Sequence, residues 1–175
     1  MKRIAVIGSG GAGKSTLARQ LGAILRIEVI HLDSRFWRPG WVPTPRPEWT
    51  QIQADLVKEE SWIIDGNYGS TIDVRLAAAD TIIFLDFPRG LCLWRVVRRW
   101  LQHIGRTRPD MAPGCPEKID REFINWIWSF PAAERPLLLQ KIKQYSGGKQ
   151  VIILRSPVEV RRFLAEVRQA EKLDI

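Results

Sequence analysis

The chain has 175 residues, a formal net charge of +8 and two cysteines. That length suffices for one α/β domain with a sizeable core. No stretch approaches the roughly 20 apolar residues of a membrane helix, and Cys92 and Cys115 make no disulfide framework. These features predict one domain over 1–175, no membrane partner and a reducing, cytoplasmic setting. The positive charge predicts an anionic partner, either a nucleotide or a nucleic acid.

Residues 3–7, Arg-Ile-Ala-Val-Ile, form an apolar, β-branched run of the kind a buried parallel strand requires. The run stops too early for a signal peptide and leads into Gly8-Ser9-Gly10-Gly11-Ala12-Gly13-Lys14-Ser15, with Thr16 behind it. This matches the phosphate-binding pattern G-x-x-x-x-G-K-[ST]. The glycines let successive N–H groups turn toward a polyphosphate. Lys14 supplies a cation for the β- and γ-phosphates, and the Ser15 hydroxyl is placed to ligate Mg²⁺. Leu17, Leu21, Ile24 and Leu25 then recur at helical spacing, so the loop opens a helix whose dipole adds to the anion site.

Residues 27–33 read as a second strand ending in Asp33. The stretch 34–47 carries Pro39, Pro43, Pro45 and Pro47, a density that opposes helix and strand ladders. A helix follows over 48–58. Strands are predicted over 62–65 and 81–86, ending in Asp65 and Asp86, and over 150–154. An amphipathic helix is expected over 90–104, with Leu93, Val97, Trp100, Leu101 and Ile104 as its apolar stripe and Arg95, Arg98 and Arg99 opposite. Residues 105–118 are irregular. Helices follow over 117–130 and 136–144, and a last one begins at the capping box Ser156-Pro157-Val158-Glu159. Five apolar strands alternating with helices predict an α/β fold with three α/β/α layers and a five-stranded parallel sheet. Ligands sit at the carboxyl ends of such strands, where the phosphate loop, Asp33, Asp65 and Asp86 all fall.

Phosphoryl transfer needs positioning and charge neutralisation. Asp65, followed by Gly66, is the favoured carboxylate for orienting the waters of Mg²⁺. Asp86 fits the same pattern, and reads as readily as a helix cap or a strand-end partner for an arginine. Arg95, Arg98, Arg99, Arg106 and Arg108 are dense enough to form a lid over ATP, the alternative being a solvated or nucleic-acid-binding stripe. Asp33 could take a proton from a hydroxyl acceptor; with a phosphate acceptor it would only orient substrate or metal water. Arg75 and Arg135 are further candidates for phosphate contacts or, equally, surface residues, and His31 and His103 read as structural and exposed. Trp94 or Trp100, with Trp126 and Trp128, are expected between layers. Trp37, Trp41 and Trp49 either stack on a base or hold the proline-rich loop together.

The loop, Asp33, the Asp65-Gly66 pair, the arginine-rich helix and the last strand-helix unit resemble the adenylate-kinase-like branch of P-loop NTPases. That resemblance implies an acceptor-binding insertion at 34–60 and a lid at 105–117. Residues 32–44, 62–68, 80–86 and 105–117 more closely resemble a bacterial group labelled DNA topology modulation proteins, which implies DNA as a possible partner. Where adenylate kinases have Pro-Arg after the Asp-Gly pair, this chain has Asn67-Tyr68; Arg75, or Arg35 and Arg38, would have to hold an acceptor phosphate. The resemblance also places the loop around Arg155, Ser156 and Pro157 near the adenine ring. The expected catalytic set is thus Lys14, Asp33, Asp65, Arg98, Arg99 and Arg106. Residues 8–16, Arg108 and Ser156 would bind ATP, and Ser15 and Asp65 would serve Mg²⁺. The expected activity is transfer of the ATP γ-phosphate to a small acceptor, with an ATP-binding DNA modulator of slow ATPase activity as the alternative.

Overall fold

A computed structural model describes residues 1–173. The central strand, β1 (Arg3–Gly8), pairs in parallel with β5 (Trp62–Asp65) on one side and β6 (Thr81–Leu85) on the other. Strands β2 (Val29–His31) and β7 (Gln150–Leu154) complete the sheet, in the order β2-β5-β1-β6-β7. Side chains alternate between its faces. Ile4 and Val6 point toward α1 (Lys14–Leu25), α5 (Arg89–His103) and α8 (Pro157–Leu173). Ala5 and Ile7 point toward α3 (Arg46–Leu56), α4 (Ile72–Ala78) and α7 (Arg135–Tyr145). Helix α6 (Arg121–Ala133) gives Ile127 to the first layer and Phe130 to the second. The expected three-layer arrangement with five parallel strands is therefore present.

Several boundaries differ from the sequence reading. Strand β2 ends at His31, and Asp33 lies in a short helix, α2 (Leu32–Phe36). The proline-rich stretch contains a two-residue antiparallel ribbon, β3 (Trp37–Arg38) with β4 (Val42–Pro43). Pro43 is tolerated because this ribbon is all edge. The largest difference concerns the face of α5. Its buried residues are Cys92 and Val96, whereas Trp94, Val97, Leu101 and Ile104 are exposed. The helix turns its small side chains inward because the phosphate loop lies against it: a Cβ on Gly11 would stand 2.2 Å from the Cys92 carbonyl oxygen. Trp128 is likewise exposed, with the Arg89 guanidinium over its ring at 3.9 Å, while Trp126 packs into the core.

The two insertions meet. Met111, Ala112 and Cys115 form a small core of their own with Trp37 and Trp41. The Gly40 N–H donates to the Gly114 carbonyl at 3.0 Å, and the Trp41 indole N–H donates to the Pro116 carbonyl at 3.1 Å. Segment 105–117 thereby rests on segment 37–41, and together they roof the carboxyl edge of the sheet.

Candidate active site

Beneath that roof lies a cleft of about 1000 Å³. Its floor is the phosphate loop, where Gly11 and Gly13 adopt φ of 76° and 98°. These are left-handed conformations that an L side chain resists. A Cβ on Gly13 would stand 3.5 Å from an Arg95 guanidinium nitrogen and narrow the cradle. Lys14 donates to the carbonyls of Gly8 and Ser9 at 3.0 and 2.9 Å. Burial draws its ammonium below the ordinary lysine range, against the opposing pull of Asp65 and Asp33. Gly8 and Ser9 therefore support Lys14 through their carbonyls, and the Gly8 N–H is committed to the Asn67 side chain at 3.0 Å.

The sheet register brings the carboxylates together. His31 and Asp65 stand opposite each other on β2 and β5, and His31 Nδ1 lies 2.7 Å from Asp65 Oδ1. Burial opposes charge on His31, but the hydrogen bond and charge of Asp65 outweigh it and raise the imidazole above its usual range. His31, expected to be structural, thus has Asp65 as its partner. Asp33 lines the cleft and accepts a hydrogen bond from the Tyr68 hydroxyl at 2.6 Å. Burial lifts its carboxyl above the ordinary range, with Tyr68, Lys14 and Arg108 working the other way.

Of the arginines expected in the lid, Arg95 lines the cleft, and so do Arg99 and Arg108. The latter two hold Glu117: Arg99 Nε lies 2.8 Å from Oε1 and Arg108 Nε 2.5 Å from Oε2. Arg108 also donates to Asp110 at 2.9 Å. Burial disfavours charge on Asp110, but Arg108, the Ser15 hydroxyl and His31 hold its carboxyl below the usual range. Two of the expected catalytic arginines do not line the cleft. Arg98 is exposed above the Trp94 ring at 5.3 Å, on the outer face of α5. Arg106 is exposed in the turn after that helix. Arg95 takes their place, donating to the Ala12 carbonyl at 3.0 Å. Three- and four-residue helical spacing sets Arg95 and Arg99 on the inward face with Cys92 and Val96, a signal hidden by choosing the larger hydrophobes as the buried stripe.

Ser156 is spent on the cap of α8, its hydroxyl accepting from the Glu159 N–H at 3.2 Å. Its neighbours Pro157 and Val160 line the cleft beside Phe123 and Trp126. Arg75 is neither a surface residue nor a phosphate ligand. It is fully buried and donates to Gln53 Oε1 at 2.5 Å, to the Gly66 carbonyl at 3.0 Å and to the Asn67 carbonyl. Asp86 is a strand-end partner for an arginine, receiving two bonds from Arg135 at 2.7 and 2.8 Å.

The donors suit Mg²⁺ held largely by substrate oxygens. Ser15 and Asp65 offer hard oxygen ligands to the cleft, and among the described residues no cluster of three or more His, Cys, Asp or Glu side chains could cage a metal.

No protein-family model and no curated protein sequence matches the chain. Solved structures do. Shikimate kinase from Bacteroides thetaiotaomicron is 17% identical with a TM-score of 0.51, covering 99% of each chain. A shikimate kinase from Acinetobacter baumannii, solved with shikimate, is 16% identical with a TM-score of 0.58, covering 99% of this chain and 94% of its own. Deoxyadenosine kinase from M. mycoides is 14% identical with a TM-score of 0.53, covering 98% and 99%. At these identities the likeness establishes the fold, that of the P-loop kinases.

Proposed function

We propose that the protein transfers the γ-phosphate of ATP to a small acceptor. The observation that carries this reading is the shared cleft in which the phosphate loop, with Lys14, faces Asp33 and Asp65 beneath the arginines of α5 and the lid. ATP would lie with its phosphates on residues 10–16 and its base toward Phe123, Trp126, Pro157 and Val160. Lys14, Arg95 and Arg99 would offset charge on the transferring phosphoryl group, which is where such enzymes gain most of their rate. Ser15 would hold Mg²⁺ and Asp65 would orient its waters, the ion supplying positive charge to the phosphates when bound. The roof made by 105–117 and 37–41 would exclude water. Two free, buried cysteines are consistent with a reducing, cytoplasmic setting.

Membership of the DNA topology modulation group, and a role on DNA, rest on the matching stretches and the +8 charge. Of the α5 arginines, Arg95 and Arg99 line the cleft, and Arg89 and Arg98 are exposed away from it. Stimulation of ADP release by supercoiled plasmid, lost as salt rises, would support that reading.

The test is ADP release from Mg-ATP by the wild type and by Lys14→Ala. Loss of one preorganised charge contact predicts a fall of at least about a hundredfold with the fold retained. Undiminished release in the variant rejects the proposal.

A further inference from the structure

We infer that the acceptor is a phosphate-free alcohol bearing a flat or apolar ring, and that Asp33 takes the proton of its hydroxyl. This rests on the phosphotransferase reading above and narrows it.

Trp37, Trp41, Tyr68 and Met111 line the cleft, with Trp37 and Trp41 packed on each other and on Met111. Aromatic planes of this kind hold rings. Asp33 joins them through Tyr68. The Tyr68 hydroxyl occupies Oδ1 at 2.6 Å, and among the described residues no donor meets Oδ2. A carboxylate held by one oxygen and open at the other suits proton abstraction from an incoming hydroxyl.

An acceptor phosphate would instead need a free arginine fork here. The arginines the sequence offers for that task are committed or turned away. Arg75 is sealed beneath the 66–68 loop. Arg38 lies 2.5 Å from Glu48, and Arg35 is exposed away from the cleft. Arg108 is clamped between Glu117 and Asp110. Arg19, Lys118 and Arg161 also line the cleft, but all three are exposed, and Lys118 stands 4.8 Å over the Trp41 ring. Asp33, Asp65, Asp110 and Glu117 line the same space. A phosphate dianion entering it would meet these four carboxylates, of which Glu117 and Asp110 already hold Arg99 and Arg108; a neutral alcohol carries no charge for them to repel.

The step balances without an added reactant. The acceptor O–H proton passes to Asp33 Oδ2. The acceptor oxygen forms a bond to the γ-phosphorus, the bond from that phosphorus to the β,γ-bridging oxygen breaks, and ADP leaves.

The test offers Mg-ATP with matched pairs of acceptors, nucleosides and ring polyols against their monophosphates, and identifies products by ³¹P NMR. The expected result is transfer to an unphosphorylated hydroxyl, falling at least a hundredfold in Asp33→Asn while ATP binding is unchanged. Phosphorylation of a phosphate group, or full transfer in Asp33→Asn, overturns the inference. If no pair reacts, slow transfer to water replaces it as the readout, since water is itself a hydroxyl acceptor. That rate should fall at least tenfold in Asp33→Asn, and an unchanged rate overturns the inference. Absence of all transfer, or transfer indifferent to Lys14→Ala, defeats the phosphotransferase reading itself.

Discussion

Trp41 gives its indole N–H to the Pro116 carbonyl, joining an insertion after β2 to the segment that follows α5. The two segments come from opposite sides of the sheet order, and their contact closes the cleft. One buried Cys115 and two tryptophans make up much of that contact, whose small core stands apart from the two core layers on either side of the sheet.

Trp41→Phe keeps an aromatic ring and removes the bond. A net hydrogen bond contributes about 1 kcal/mol, so the closed arrangement should lose about fivefold in population relative to the open one. ADP release in the absence of acceptor should rise several-fold as water gains entry, with the unfolding midpoint nearly unchanged. Unaltered basal release would show that the indole bond plays no part in closure.

Asp33 links activity to pH with a definite sign. Burial holds its carboxyl above the usual range, while Tyr68, Lys14 and Arg108 oppose the rise and Asp65 adds to it. A base must be ionised, so turnover should fail on the acid side at a higher pH than an ordinary carboxylate of about 3.9 would give. Tyr68→Phe removes a bond to the charged form and should move that acid limb further up. Stability runs the other way. A carboxyl whose folded pKa exceeds its unfolded one contributes fully below the unfolded value and loses that contribution as pH rises through the folded one. Asp33→Asn should therefore be more stable than the wild type near pH 7 and about equal near pH 4, by urea unfolding. A gap that does not narrow on acidification would refute the burial account.

Gly11 and Gly69 separate backbone demand from mere absence of a side chain. Gly11 has φ 76°, and an added Cβ would lie 2.2 Å from the Cys92 carbonyl oxygen; around Gly69 nothing lies within 4 Å. Gly11→Ala combines left-handed strain of about 1–2 kcal/mol with overpacking of about 1–3 kcal/mol. At roughly 2–4 °C per kcal/mol for a chain of this size, Tm should fall by on the order of 10 °C. Gly69→Ala should leave it within a degree or two. Equal effects at the two positions would mean that α5 does not press on the loop as described.

The phosphate loop, the sheet and the positions of Lys14 and Asp65 were legible because each depends on local pattern: apolar runs of strand length, glycines at fixed offsets, a polar residue at a strand end; Asp33 was expected at the end of its strand and lies instead in α2. That Asp86 could partner an arginine at its strand end was legible as one of its readings, but that the arginine is Arg135 was not. Helix α4 was not, since Ile72–Ala78 is short and follows a turn. The face of α5 was misread for a physical reason. Hydrophobicity ranked Val97, Leu101 and Ile104 as buried, but the helix must bring Cys92 and Val96 against Gly11, and only small side chains permit that approach.

The strand-loop-helix that offers a row of N–H groups to phosphate can be read from the amino-acid order alone, because that geometry follows from neighbouring residues. Which arginines line the cleft, that Arg75 is a buried brace, and that the two insertions close on each other emerge with the folded chain. Those outcomes depend on contacts between residues far apart in the chain, and packing sets them through the shape and spare volume of the partner surface.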